Sequence, residues 1–112
     1  MFYHAHIYWR NEEEHAHATR IKDWFQRASC AVGEDTDGAV KPHPLPRYQV
    51  KYDIGNQQVV EMFLEQCRHE CVIFSHKITG DSVKDYQEGK WLGEVLEIDY
   101  EWLAANPEFG DQ

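Results

Sequence analysis

Tyr3-His4-Ala5-His6-Ile7-Tyr8-Trp9 is the stretch that decides the fold. Side chains of a β-strand alternate between two faces, so a strict period of two marks a strand with two distinct surfaces. Here Tyr3, Ala5, Ile7 and Trp9 form an apolar face, and His4, His6 and Tyr8 form the other. The apolar face needs a cover, and the next segment supplies one. From about Glu13 to Ala28 the period lengthens to that of a helix, with Ala18, Ile21, Trp24, Phe25 and Ala28 as the apolar stripe. Asn11, three residues ahead of Glu14, is placed to cap its start.

The pattern then repeats. Arg47 to Asp53 alternates again, with Tyr48, Val50 and Tyr52 apolar. After the break at Gly55-Asn56, the residues Val59, Val60, Phe63, Leu64 and Cys67 mark a second amphipathic helix ending near His69. Cys71 to Ser75 is short, apolar and flanked by breaks, which reads as a buried strand. Between the first helix and Arg47, Ala31-Val32 and Ala39 to Lys41 suggest an interrupted edge strand around Asp37-Gly38. The order is βαββαβ, the ferredoxin-like α+β sandwich, with a C-terminal extension from Thr79. That extension reads as a helical turn around Ser82 to Glu88, an extended segment from Glu94 to Asp99, and a frayed end from Asn106 to Gln112.

The 112 residues suit a single domain, 1–112. A composition 42% hydrophobic and 28% charged is globular. A net charge of −9 without a basic stretch repels nucleic acid, so that partner is not expected. No apolar run is long enough for a bilayer, which argues against a membrane partner. Phe2-Tyr3-His4-Ala5 lacks the character of a signal peptide, so a cytoplasmic location is the default expectation. Three cysteines, Cys30, Cys67 and Cys71, cannot all pair in one chain, and their spacing around His69 is not that of a zinc site. They read as idle thiols.

The histidines carry the chemistry. His4 and His6 share a strand face, His43 sits in the rigid Pro42-His43-Pro44-Leu45-Pro46 loop, and His76 follows the last core strand. With the first strand central, parallel to the third and antiparallel to the fourth, these positions are expected to meet at one sheet edge. Imidazoles converging in this way suit iron, zinc, copper or nickel, and Asp81 on the Thr79-Gly80-Asp81 turn is placed to add a carboxylate. His15 and His17, two apart on a helix, face differently and read as surface residues. Trp24 and Phe25 read as core.

Four segments resemble the successive motifs of the DOPA 4,5-dioxygenase family: Tyr3-His4-Ala5-His6-Ile7-Tyr8; Pro42-His43-Pro44-Leu45-Pro46 with Tyr48-Gln49-Val50; His76 with Thr79-Gly80-Asp81; and Trp91-Leu92-Gly93. The resemblance runs from Tyr3 to about Leu103. It implies a ferredoxin-like homodimer that opens the ring of a catechol such as DOPA with molecular oxygen, using non-haem Fe(II), with zinc the other metal to consider. On that resemblance His6, His43, His76 and Asp81 are the expected metal ligands, and His4 is the expected catalytic group moving the substrate proton. Two departures stand out. Where the family usually reads His-Pro-Asn-Thr-Gly-Asp this chain has His76-Lys77-Ile78-Thr79-Gly80-Asp81, and where it usually places histidines before Trp-x-Gly this chain has Tyr86 and Gly89. The competing expectation is a non-catalytic dimeric domain of the same fold that binds a small aromatic ligand or a metal.

Overall fold

A computed structural model describes residues 1–109. Its centre is a five-stranded antiparallel sheet in the order β2-β3-β1-β4-β5. The strands are β1 (Phe2–Tyr8), β2 (Ala31–Val32), β3 (Arg47–Asp53), β4 (Val72–Lys77) and β5 (Lys90–Leu92). Three α-helices lie between them, α1 (Glu12–Arg27), α2 (Gln57–Cys67) and α3 (Ser82–Gln87), and α4 (Tyr100–Ala105) follows β5. The first four strands and two helices follow the ferredoxin-like α+β plan, and β5 extends the sheet beside β4.

The apolar face of β1 is covered as its alternation requires. Tyr3, Ala5, Ile7 and Trp9 pack with Tyr48, Val50 and Tyr52 of β3, under Ala18, Ile21 and Phe25 of α1 and Val60 and Leu64 of α2. Asn11 caps α1 by accepting a hydrogen bond from the Glu14 backbone N–H at 2.9 Å. Such a cap stabilises a helix by about 1 kcal/mol. The Tyr48 hydroxyl, buried beneath α1, donates to the Ala18 carbonyl at 2.5 Å and so keeps its polar end bonded. Trp24 stacks on Phe63 with ring centroids 3.9 Å apart, joining the two helices as the core reading expects.

Three expectations need correction. β3 runs antiparallel to β1, with Phe2 opposite Asp53 and Tyr8 opposite Arg47. The reason is topological. The crossover through α1 makes β2 the strand parallel to β1, and the chain reversal after β2 turns β3 back. The start of β3 therefore lies at the far end of β1 from the end of β4. Second, β4 reaches Lys77, so His76 stands inside the strand, directly opposite His4. Third, Ala39 to Lys41 form no strand; the edge is Ala31–Val32 plus a single bridge from Thr36 to Arg47. The extension also contains β5 and α4, which short segments without periodicity did not announce. Residues 94–99 form no strand and lead into α4. Of the segment read as frayed, Asn106 donates from its N–H to the Trp102 carbonyl at 3.0 Å and Pro107–Phe109 make a turn of 3₁₀ helix, while 110–112 lie outside the described residues.

That extension closes the second sheet face. Tyr8, Val72 and Phe74 pack with Tyr86 of α3, with Ile98 ahead of α4 and with Leu103 of α4, forming a second apolar cluster. Hence His4, His6 and His76 are 2%, 0% and 2% exposed, whereas the sequence left this face open and polar.

Candidate functional site

Cross-strand pairing sets the site out as a grid. His4 lies between Lys51 and His76, His6 between Gln49 and Phe74, and Tyr8 between Arg47 and Val72. Opposed residues of an antiparallel pair project to the same side, so all nine side chains share one face. His43 enters from a different direction. Its loop folds back over the end of β1, held where Trp9 N–H donates to the Pro46 carbonyl at 3.2 Å and Asp99 N–H donates to the Pro42 carbonyl at 3.0 Å. The His43 ring then lies 4.5 Å from the His6 ring. The four histidines do converge, with the loop rather than a shared strand edge delivering His43.

Within that cluster, one ring nitrogen from each of His4, His6 and His76 lies within 4.8 Å of the other two. The Nε2 atoms of His6 and His76 are 3.0 Å apart. The His76 Nδ1–H donates to its neighbour's carbonyl, Lys77 O, at 2.8 Å, which leaves the Nε2 lone pair facing His6. Two imidazole nitrogens bound to one divalent ion at about 2.1 Å stand roughly 3.0–3.4 Å apart, so this pair is already spaced as ligands. Buried Nδ1 atoms of His4 and His6 have no hydrogen-bond partner. A backbone carbonyl orienting a ligand imidazole from its far nitrogen is the usual outer support of a metal site. The donor set fits a divalent metal such as iron or zinc, without choosing between them.

Electrostatics keep these rings neutral. Burial is the main cause for each, because a charged imidazole loses its hydration inside the fold. It pushes His4 down to about 3, helped by His76, and pushes His76 down to about 4 against the opposing pull of Lys77 O and Asp85. His43 is lowered to about 2 by burial and the charge of Arg47, and His6 is held well below its ordinary value by burial and His43. Neutral imidazole is the form that binds metal, so no proton need be displaced near pH 7.

His43 stands apart from the ligand-spaced group. Its Nδ1 shares a 2.7 Å hydrogen bond with the Tyr8 hydroxyl, and its Nε2 lies 3.4 Å from the Tyr86 hydroxyl. The Tyr8 phenol is kept protonated, its pKa raised by burial and by Tyr86. Asp81, the expected carboxylate ligand, is exposed and caps α3, accepting from Lys84 N–H at 3.2 Å. The buried carboxylate beside the turn is Asp85 of α3. It accepts from the Thr79 N–H at 2.8 Å and from the Thr79 hydroxyl at 2.6 Å, which fixes the Thr79-Gly80-Asp81 turn under β4.

Sequence reasoning passed over Tyr86, reading it only as a replaced histidine. Its ring is 4.4 Å from His76 and 5.9 Å from both His6 and His43, buried among them. Gly89 has a steric role: a Cβ there would come within 2.2 Å of Phe74 Cε1 and 2.9 Å of the Ser75 carbonyl. The signal that could have found both was their helical distance of three residues, which puts them on one side of a turn facing β4. Cys30, Cys67 and Cys71 are free thiols, as expected. His15 and His17, read as surface residues, are both half-buried: His15 bonds Asp35 at 2.9 Å, and His17 stacks on His69 with ring centroids 4.1 Å apart. No helix is long and apolar enough to cross a membrane.

Comparison with known proteins gives the cluster a context. No curated protein matches the chain significantly. Among solved structures, a candidate dioxygenase from Nostoc punctiforme PCC 73102 superimposes with a TM-score of 0.88 at 28% identity, over 94% of this chain and 92% of that one. The profile of the Dopa 4,5-dioxygenase family matches residues 3–102, which includes every histidine and tyrosine of the site. A fold of this type with four buried, neutral histidines, three on one sheet face and one from the loop over it, is what that match covers, and the chain belongs to the Dopa 4,5-dioxygenase family.

Proposed function

We propose that the protein is an extradiol ring-cleaving dioxygenase acting on a catechol such as DOPA, with non-haem Fe(II) as its metal. The single observation that carries this reading is the buried, ligand-spaced triad of His4, His6 and His76. When bound there, the metal would supply Lewis acidity and a redox-active centre for catechol and dioxygen. In the overall reaction the carbon–carbon bond beside the diol and the O–O bond both break, and both oxygen atoms enter a muconic semialdehyde. No outside reductant is required.

The roles of two histidines exchange on this reading. His4 joins His6 and His76 as a ligand, and His43 becomes the group that accepts and returns a substrate proton. The Tyr8 hydrogen bond supports this, because it orients the His43 ring and leaves Nε2 toward Tyr86 and the cluster. Asp85 and Lys77 O hold the turn and the His76 ring, and Phe74, Tyr86 and Trp91 line the face with rings against which an aromatic substrate can pack. A homodimer in the cytoplasm, each chain a single domain, completes the proposal.

Reconstitution with Fe(II) under anaerobic conditions, followed by oxygen uptake with a panel of catechols, tests it. Uptake matched by a new visible absorbance is the expected result. His6→Ala and His76→Ala are expected to abolish iron binding, and full occupancy in both would sink the triad. A second reading rests on Tyr86 and Gly89 standing where the family usually has histidines: a non-catalytic domain that binds a small aromatic ligand. Iron bound at one per chain, with catechol bound and no oxygen consumed, would establish that alternative.

A further inference from the structure

Arg47 opens β3 directly opposite Tyr8, so its side chain lies on the face that carries His4 and His6. It is largely withdrawn from solvent, and its Nε is buried without a hydrogen-bond partner. The chain carries 20 acidic residues, yet no ion pair among the described residues involves Arg47. Its neighbour Lys41 is occupied with Asp99 at 3.5 Å. Glu34 lines the same cavity, of about 250 Å³, without pairing with Arg47. Its backbone is held through Thr36: N–H donates to Thr36 Oγ1 at 3.1 Å, and O accepts from Thr36 N–H at 2.8 Å and from the Thr36 hydroxyl at 2.9 Å.

A buried cation without a counter-charge is costly, and a guanidinium remains charged at any pH a folded protein meets. The residues that share its sheet face, Tyr8, Val72, Gln49, His6, Phe74, Lys51, His4 and His76, include no carboxylate. Tyr8, its partner across the strand pair, bonds His43 at 2.7 Å, so Arg47 flanks the same site. An arrangement that leaves one positive charge unanswered beside a substrate site is complementary to one negative charge on the substrate. The planar fork of a guanidinium matches a carboxylate with two parallel hydrogen bonds. A phosphate monoester, with close to two negative charges, would exceed what one guanidinium can answer.

We propose that Arg47 is the specificity-determining residue of this site, gripping a carboxylate that the aromatic substrate carries on a substituent away from its diol. This inference rests on the dioxygenase reading for the diol, and on Arg47 alone for the carboxylate. It makes the natural substrate an acidic catechol and not a neutral one.

The test pairs two catechols that differ in charge, 3,4-dihydroxyphenylacetate and 4-methylcatechol, on the Fe(II)-loaded protein. The acid is expected to be preferred in kcat/KM by about tenfold to a hundredfold, as befits one charge-assisted bidentate contact. In Arg47→Met that ratio is expected to collapse toward one, and in Arg47→Lys to fall part of the way. Anaerobic quenching of tryptophan fluorescence with the Zn(II)-loaded protein gives the same ratio as equilibrium affinities, independent of turnover. A wild-type protein with no preference, or a ratio that survives in Arg47→Met, overturns the proposal. Loss of oxygen uptake with both catechols would instead strike the dioxygenase reading, while the anaerobic titration still decides the carboxylate. Circular dichroism confirms that each variant folds. Should Arg47→Met not fold, the wild-type ratio and Arg47→Lys carry the test.

Discussion

Acid should unfold the metal-free protein well before its carboxylates protonate, and the four site histidines set how strongly. In the fold, His4, His43 and His76 are held at about 3, about 2 and about 4, and His6 well below its ordinary 6.5. Unfolding returns each ring to water and to a pKa near 6.5. Between the folded and unfolded values the unfolded chain binds more protons, so stability must fall as pH falls. The contribution is whole above about pH 6.5 and is lost progressively below it. At about pH 5 a ring still neutral in the fold but free to protonate when unfolded costs about 2 kcal/mol, from 1.36 kcal/mol per pH unit over 1.5 units. Four such rings sum to about 8 kcal/mol, which rivals the whole 5–15 kcal/mol stability of an ordinary domain. The measurement is urea unfolding followed by circular dichroism in the presence of a chelator, at intervals from about pH 7.5 to about pH 5. Unfolding is expected to take up close to four protons at the acid end, and His76→Gln to remove roughly a quarter of the slope. An unfolding free energy at about pH 5 within about 1 kcal/mol of that at pH 7.5 would refute the reasoning, since it would mean that these rings are solvated or already protonated in the fold.

Two further changes probe the frame around the cluster. Gly89→Ala places a methyl group 2.2 Å from Phe74 Cε1, against a ring already stacked on Trp91 at 4.2 Å. A loss of about 1–3 kcal/mol or more in urea unfolding is expected, with metal affinity falling alongside because Phe74 packs on His6. Tyr8→Phe removes the 2.7 Å bond to His43 and leaves its Nδ1 buried without that partner. About 1–3 kcal/mol of stability should go, whereas metal stoichiometry stays at one per chain if His43 is not a ligand. Loss of the metal in that variant would return His43 to the ligand set.

Local pattern alone determined the two long strands and the two long helices of the first two-thirds of the chain, but not the edge strand expected at Ala39–Lys41. Alternation in Tyr3 to Trp9 and in Arg47 to Asp53 follows from the pleat, and the stripes ending in Phe25 and Leu64 follow from the helical turn. The same alternation put His4, His6 and Tyr8 on a face away from the core helices, where the structure has them. What local pattern lacks is information about partners distant in the chain. It could not say that β3 runs against β1, because strand direction depends on which element follows the crossover. Nor could it show that β4 carries His76 inside the ladder beside His4, since strand ends are fixed by pairing rather than by propensity. Burial of the histidine face was decided by α3, α4 and the Pro42–Pro46 loop, two six-residue helices and a loop too short to show which face they cover. Only their packing takes water from the imidazoles, and so turns three polar side chains of the strands into neutral donors aimed at one another, with His43 of the loop beside them.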